Sequence, residues 1–241
     1  MLLIRSLIFF LGMCIFSFIV FLFAMLTALF PSNIRYKIIS QWAIFNIWWL
    51  RITCNITTKV IGKENIPISA CVIISNHQST WESFAFQTIF TQQSWVLKRE
   101  LLWIPVFGWG LALLKPIIIN RGDKLKALKK VIKQGVARIQ ENIFVVIFPE
   151  GTRQPYGQLG NYQRGGIAIA QKAGCDICPI YHDAGKLWPK GSFIKYPGTI
   201  TVVIGKPISI TGKSATILTQ EVKEWTEKKS SESYSERPLH N

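Results

Sequence analysis

Two short runs in this chain combine residue types that move protons and hold anions. The first, Ser75-Asn76-His77-Gln78-Ser79-Thr80-Trp81-Glu82, follows the apolar stretch 71–74. A histidine titrates near neutrality and can take a proton from a hydroxyl when a neighbour fixes its tautomer. Glu82 stands five residues further on. Five residues of one helix turn the chain by about 500°, so the two side chains would not share a face. They meet only if His77 lies on a loop and Glu82 in the first turn of the helix that follows. Ser79 to Glu82 also has the form of a capping box, with Ser79 as N-cap and Glu82 reaching back to its amide. Spacing alone leaves both readings open.

The second run is Ile147-Phe148-Pro149-Glu150-Gly151-Thr152-Arg153, again at the end of an apolar stretch. Gly151 frees the backbone for a tight approach, while Thr152 and Arg153 offer a hydroxyl and a guanidinium to an anion. Tyr162-Gln163-Arg164-Gly165-Gly166 then opens a helix whose N-terminus also favours a phosphate. A third apolar stretch, 116–120, ends in Arg121. Arginines at strand ends around one histidine make a site that holds a phosphate and abstracts a proton. The plain alternative for each run is a structural turn with solvated arginines.

Other chemistries lack their residues. No G-x-S-x-G nucleophile elbow and no G-x4-G-K-[ST] phosphate loop is present. Cys175-x-x-Cys178, with His182 as a third donor, looks like half a metal site, but no second cysteine pair follows. No metal is expected there; buried thiols are the simpler reading.

The elements needed to position these residues follow from hydrophobic patterning. Strands are expected at 57–61, 70–75, 95–98, 117–120, 143–148, 178–182 and 199–204. Helices are expected at 81–90, 124–140 (with Asp123 as N-cap), 165–173 and 215–228. This alternation is that of an α/β domain. The last dozen residues, rich in Ser and charge, read as a flexible tail.

Ahead of that domain, residues 7–30 contain no charge at all. As a helix this run would reach roughly 36 Å, enough to cross a ~30 Å hydrocarbon core. It is too long for a signal-peptide apolar region and lacks the small-residue cleavage site. Lysines and arginines cluster after it, which places the rest of the chain in the cytoplasm. Residues 41–52 carry Trp42, Phe45, Trp48, Trp49 and Ile52 at helical spacing, as an interfacial helix would. Spanning and re-entrant anchors both fit. The chain holds 28 Lys and Arg against 13 Asp and Glu, a net charge of +15. From Lys213 onward five basic side chains balance five acidic ones, so no basic tail for nucleic acid exists. Basic residues interleaved with aromatics suit a membrane interface instead. The Lys-rich segment 124–133 is a solvated face that could also rest on anionic lipid or a cofactor's phosphates. The expected organisation is a membrane anchor and interfacial helix (1–55), a catalytic domain (56–212), and a C-terminal helix and tail (213–241).

These runs resemble those of the membrane-bound glycerolipid acyltransferases, specifically the 1-acyl-sn-glycerol-3-phosphate acyltransferases. The N-H-x4-D motif is matched by Asn76-His77, with Glu82 in place of Asp. An apolar strand ending in Arg is matched by 117–121, F-P-E-G-T-R by 148–153, and an apolar-Pro-apolar step by Cys178-Pro179-Ile180. The order agrees across residues 57–210. The resemblance implies a central, mostly parallel mixed sheet flanked by helices, together with a membrane-anchoring N-terminal segment. It implies transfer of a fatty acyl group from acyl-CoA or acyl-carrier protein to lysophosphatidic acid, giving phosphatidic acid, at the cytoplasmic inner membrane. His77 would be the base and Glu82 its orienting partner. Arg121, Glu150, Gly151, Thr152 and Arg153 would hold the glycerol phosphate, and no cofactor beyond the acyl donor would be needed. The other readings are an acyltransferase for another lysophospholipid or an amino-lipid, and a catalytically silent lipid-binding adaptor.

Overall fold

The computed structural model describes residues 1–119 and 124–235. Asn120 (the end of the strand expected at 117–120), Arg121 and Asp123 therefore lie outside the described residues, as do the last six of the expected tail.

The described chain begins with two long helices, α1 (Leu2–Leu26) and α2 (Ser32–Cys54), packed antiparallel. Trp42 donates its indole N–H to Ser17 Oγ at 2.6 Å, and Phe16 stacks on Phe45 at 3.8 Å. Trp49 reaches the Ile8 carbonyl at 3.3 Å. The charge-free run does not stay helical to its end: α1 stops at Leu26, a 3₁₀ turn follows, and Pro31 starts α2. The interfacial helix expected at 41–52 is the second half of this longer α2. Asn55 closes α2 in the left-handed conformation, φ 54°, and its carbonyl accepts from Gly198 N–H. The hairpin is thereby fastened to the sheet.

Seven strands follow: β1 (Ile56–Ile61), β2 (Val72–Ser75), β3 (Gln93–Lys98), β4 (Ile117–Ile119), β5 (Phe144–Ile147), β6 (Ile177–His182) and β7 (Gly198–Ile204). They form one sheet in the order β1-β7-β6-β2-β5-β3-β4. Every pairing is parallel except β6 with β7. This mixed, mostly parallel sheet is the one the resemblance implied, and each expected strand lies within two residues of an observed one.

Helices cover both faces, so the central strands are apolar on both sides. On β2, Ile73 faces the layer of α1, α2 and α3 (Glu82–Ile89), in one core with Phe9, Leu50, Phe84 and Phe86. Val72 and Ile74 face the layer of α5 (Lys124–Gln140), α6 (Gly165–Ala173) and α7 (Ala215–Ser235), meeting Val131, Ile167, Leu218 and Val222. Period-two alternation splits one strand between two cores. The segment between β3 and β4 also contains α4 (Phe107–Ala112), which patterning missed because Gly108 and Gly110 depress its helix propensity. Gly108 is required there: a Cβ would collide with the Leu101 carbonyl.

Contact between α5 and α6 offers a test of the packing. A Cβ at Gly135 would sit 2.7–2.9 Å from three side-chain carbons of buried Ile169. Alanine gains about 1 kcal/mol of helix propensity, but overpacking costs about 1–3 kcal/mol. Gly135→Ala should lower the thermal midpoint of the purified protein; a higher midpoint would contradict this packing.

Candidate active site

The site begins where β2 ends. Asn76 is fully buried, and its side chain extends the β2–β6 pairing by one step. Its amide donates to the His182 carbonyl at 2.9 Å while its Oδ1 accepts from His182 N–H at 3.0 Å. The loop leaving β2 is thus tied to β6, and the next residue on that loop is His77.

His77 and Glu82 meet in the only way the spacing permits, His77 on the loop and Glu82 at the first residue of α3. His77 Nδ1 lies 2.5 Å from Glu82 Oε2. The carboxylate accepts, so Nδ1 carries the hydrogen, and in the neutral ring Nε2 is left as the basic atom. Glu82 Oε1 accepts from the amides of Gln78 and Ser79 at 2.7 and 2.6 Å. One carboxylate therefore ties down the loop that leads into α3 and binds the imidazole at once. The cap departs from the expected box in one respect. Trp81 occupies the N-cap position, so Ser79 Oγ accepts from the Trp81 amide rather than from that of Glu82. The extra methylene of Glu over Asp lets the carboxyl fold back under its own helix start.

Burial by itself would raise the Glu82 carboxyl. Neighbouring His182, the His77 bond and charge, and the Gln78 amide outweigh it and hold the group below its ordinary value. Glu82 is an anion beneath a histidine that keeps 21% of its side chain exposed.

The second run reaches the same place. The His77 ring stacks on Phe148 with centroids 4.1 Å apart. Its carbonyl accepts from Gln154 N–H at 2.7 Å, so the turn after β5 hangs from the histidine's own backbone. Gly151, at φ 66°, makes that turn possible. Thr152 is exposed and Arg153 half-buried, with the Arg153 carbonyl taken by Lys190 Nζ at 2.9 Å. Among the described residues no carboxylate pairs with the Arg153 guanidinium. Glu150 points inward instead. It is 8% exposed, and neither carboxyl oxygen has a hydrogen-bond partner. Burial pushes it up to about 8, with Glu82 adding to the rise; the His77 and Gly160 amides lie near enough to oppose it in part without forming a hydrogen bond.

His182 is the residue to which sequence reasoning gave no role. Weighed there only as a third donor in a metal reading that was set aside, it turns to the dyad, with Nε2 3.3 Å from Glu82 Oε1. Among the described residues no three His, Cys, Asp or Glu side chains form a metal-binding group. The signal that could have found His182 is its position at the end of a predicted strand, where α/β sheets place their sites.

Residues 57–183 match the family described as Acyltransferase, more than half of the chain. This chain belongs to the acyltransferase family. A 1-acyl-sn-glycerol-3-phosphate acyltransferase of Pseudomonas aeruginosa is 50% identical over 184 residues, 76% of this chain and 72% of that one. A chloroplastic 1-acyl-sn-glycerol-3-phosphate acyltransferase of Arabidopsis thaliana is 30% identical over 68% of this chain; this chain spans about half (47%) of its length. The crystal structure of the 1-acyl-sn-glycerophosphate acyltransferase of Thermotoga maritima has the same fold, with a TM-score of 0.82 over 98% of each chain at 22% identity. In this acyltransferase the F-P-E-G-T-R run thus stands beside a histidine–glutamate pair.

Glu150 gives a pH test. Its folded value lies above that of an exposed carboxyl, so between about pH 5 and pH 8 the folded chain keeps a proton that the unfolded chain releases. Stability contributed by this group is therefore lost as pH rises through that window. Glu150→Gln should flatten the fall of the thermal midpoint across it; identical slopes for both proteins would count against a buried, proton-holding Glu150.

Proposed function

We propose that this protein transfers a fatty acyl group from the thioester of acyl-CoA or acyl-carrier protein to the free hydroxyl of 1-acyl-sn-glycerol-3-phosphate, forming phosphatidic acid. The observation that carries this reading is the His77–Glu82 hydrogen bond held directly against the 148–154 turn. His77 Nε2 takes the hydroxyl proton as the acceptor oxygen attacks the thioester carbon. The C–S bond then breaks, and the departing sulfur recovers the proton from the imidazolium. Glu82 holds the tautomer and balances the charge that His77 acquires. Gly151, Thr152 and Arg153 receive the glycerol phosphate, and Glu150 of the same turn, its carboxyl buried and protonated behind them, adds no negative charge there. Arg121 belongs to the same proposed group.

The names of the relatives support the acceptor, and the apolar N-terminal helix supports attachment to a membrane. An 18-residue stretch of α1 has a mean hydropathy of 2.8, and the helix meets the length and composition needed to cross a bilayer. Leu11, Ile15, Phe18 and Leu22 of α1 stay exposed, with Trp48 and Ile52 of α2 outward as well. We read these as lipid-facing, with the catalytic residues on the cytoplasmic side of the inner membrane. A buried apolar helix is not held by screened charges. High-salt washing should leave the full-length protein on the membrane; release by salt alone would contradict the anchor.

Two substitutions test the chemistry. His77→Ala should lower acyl transfer by about 10²–10⁴-fold without loss of folding; near-normal turnover would remove His77 from the role of base. Arg153→Lys exchanges a planar fork for a point charge. It should raise the KM for lysophosphatidate about 10- to 150-fold, the worth of a charge-assisted pair, and leave the KM for the acyl donor nearly unchanged. An equal loss toward the donor would move Arg153 to the donor site. Mass spectrometry of the products from several lyso-acceptors decides the acceptor, and a preference for one without phosphate would overturn lysophosphatidate.

A further inference from the structure

We propose that His182 is a positioning residue that holds both arms of the His77–Glu82 pair, acting as a neutral imidazole with its hydrogen on Nε2. This rests on the reading of His77 as the base.

The geometry assigns the tautomer. His182 is fully buried at the end of β6, with the rings of Trp81 and Phe86 at 5.9 and 6.0 Å. Its Nε2 lies 3.0 Å from the Asn76 carbonyl oxygen and 3.3 Å from Glu82 Oε1. Both neighbours are acceptors, so Nε2 must carry the hydrogen. Its Nδ1 lies 3.3 Å from the Ala184 N–H, a donor, so Nδ1 must be bare. An imidazolium would aim an N–H at another N–H there. Burial also pushes the ring below the ordinary histidine value, against the pull of Glu82 and the Asn76 carbonyl.

The two acceptors are what give this hydrogen its consequence. Asn76 precedes His77, so fixing its carbonyl fixes the peptide that carries the base. Glu82 Oε1 belongs to the carboxylate that grips the base from the other side. The longer side chain of Glu has one more rotatable bond than Asp, and His182 closes off the swing it would otherwise allow. The titratable groups facing this cluster are His77 on the loop after β2, Glu82 on α3, and Glu150 on the turn after β5.

The test uses full-length protein, labelled with ¹⁵N-histidine, in lipid nanodiscs. His182 should show a protonated Nε2 and a bare Nδ1 that do not change between about pH 5 and pH 8. An imidazolium or the opposite tautomer overturns the proposal, whatever the variants do. His182→Gln places an amide nitrogen the same number of bonds from Cα as Nε2, whereas His182→Leu offers no donor. The leucine variant should lose about tenfold or more in kcat, the usual cost of an outer hydrogen-bond partner, with both KM values nearly unchanged. Its far-downfield His77 Nδ1 proton should move upfield as the bond to Glu82 lengthens, and the glutamine variant should recover both. An unmoved proton, a full-activity leucine variant or a glutamine variant no better than leucine would each refute the role. If the leucine variant does not fold, the tautomer and the glutamine variant decide. Full activity in His77→Ala would instead defeat the underlying reading of the base, which the tautomer of His182 does not touch.

Discussion

A fully buried carboxylate must be surrounded by donors or it will not stay ionised. Glu82 satisfies that demand with two backbone amides on one oxygen and His77 on the other. The same atoms that neutralise the cost of burial hold the loop that leads into α3 and fix the His77 ring. Capping and catalysis are usually weighed as rival explanations for such a residue. Here one carboxyl has two oxygens, one for the amides of the loop that leads into α3 and one for the imidazole.

The remainder of the fold supplies the directions from which these donors come. β2, β5 and β3 run parallel, so their C-terminal ends gather at one edge, where the sheet can carry a site. β2 delivers Asn76 and His77, β5 delivers Phe148 to Arg153, and parallel pairing of β6 with β2 brings His182 up beside Asn76. The ring of Phe148 supports the face of His77, and the backbone of Gln154 binds its carbonyl. Motifs far apart in sequence thus share one imidazole. The apolar hairpin of α1 and α2 covers the other end of the problem, completing the core under α3 through Trp42 against Phe84 and Phe9 against Trp188.

Much of this was legible in the residues alone. The seven strands are short apolar runs punctuated by polar loops, and such runs must be buried wherever they pair. Helix geometry set the one arrangement in which His77 and Glu82 could meet without deciding that they do, and the F-P-E-G-T-R run stood out by its residue types. What sequence could not reveal was set by distant partners. His182 owes its neighbours to a pairing 106 residues away, so that spacing alone grouped it with the cysteines next to it. Glu150 reads as an ordinary anion in sequence, whereas its burial without a partner favours the neutral acid. The break at Leu26 was hidden because every residue from 7 to 30 is uncharged, and hydropathy does not register where a helix turns back.

The dual role of Glu82 is tested most directly by Glu82→Gln, measured for thermal midpoint and kcat on the same preparation. The amide oxygen can still accept from Gln78 and Ser79, so the helix start should hold and the midpoint should barely move. The amide N–H₂ must then face Nδ1 of His77, which drives the ring hydrogen onto Nε2, the atom that has to accept a proton. Forcing the wrong tautomer in this way costs roughly 10⁴-fold in a related triad, and a loss of about 10³- to 10⁴-fold in kcat is expected here. A variant that melts early while its surviving fraction turns over normally would leave Glu82 a helix cap and nothing more.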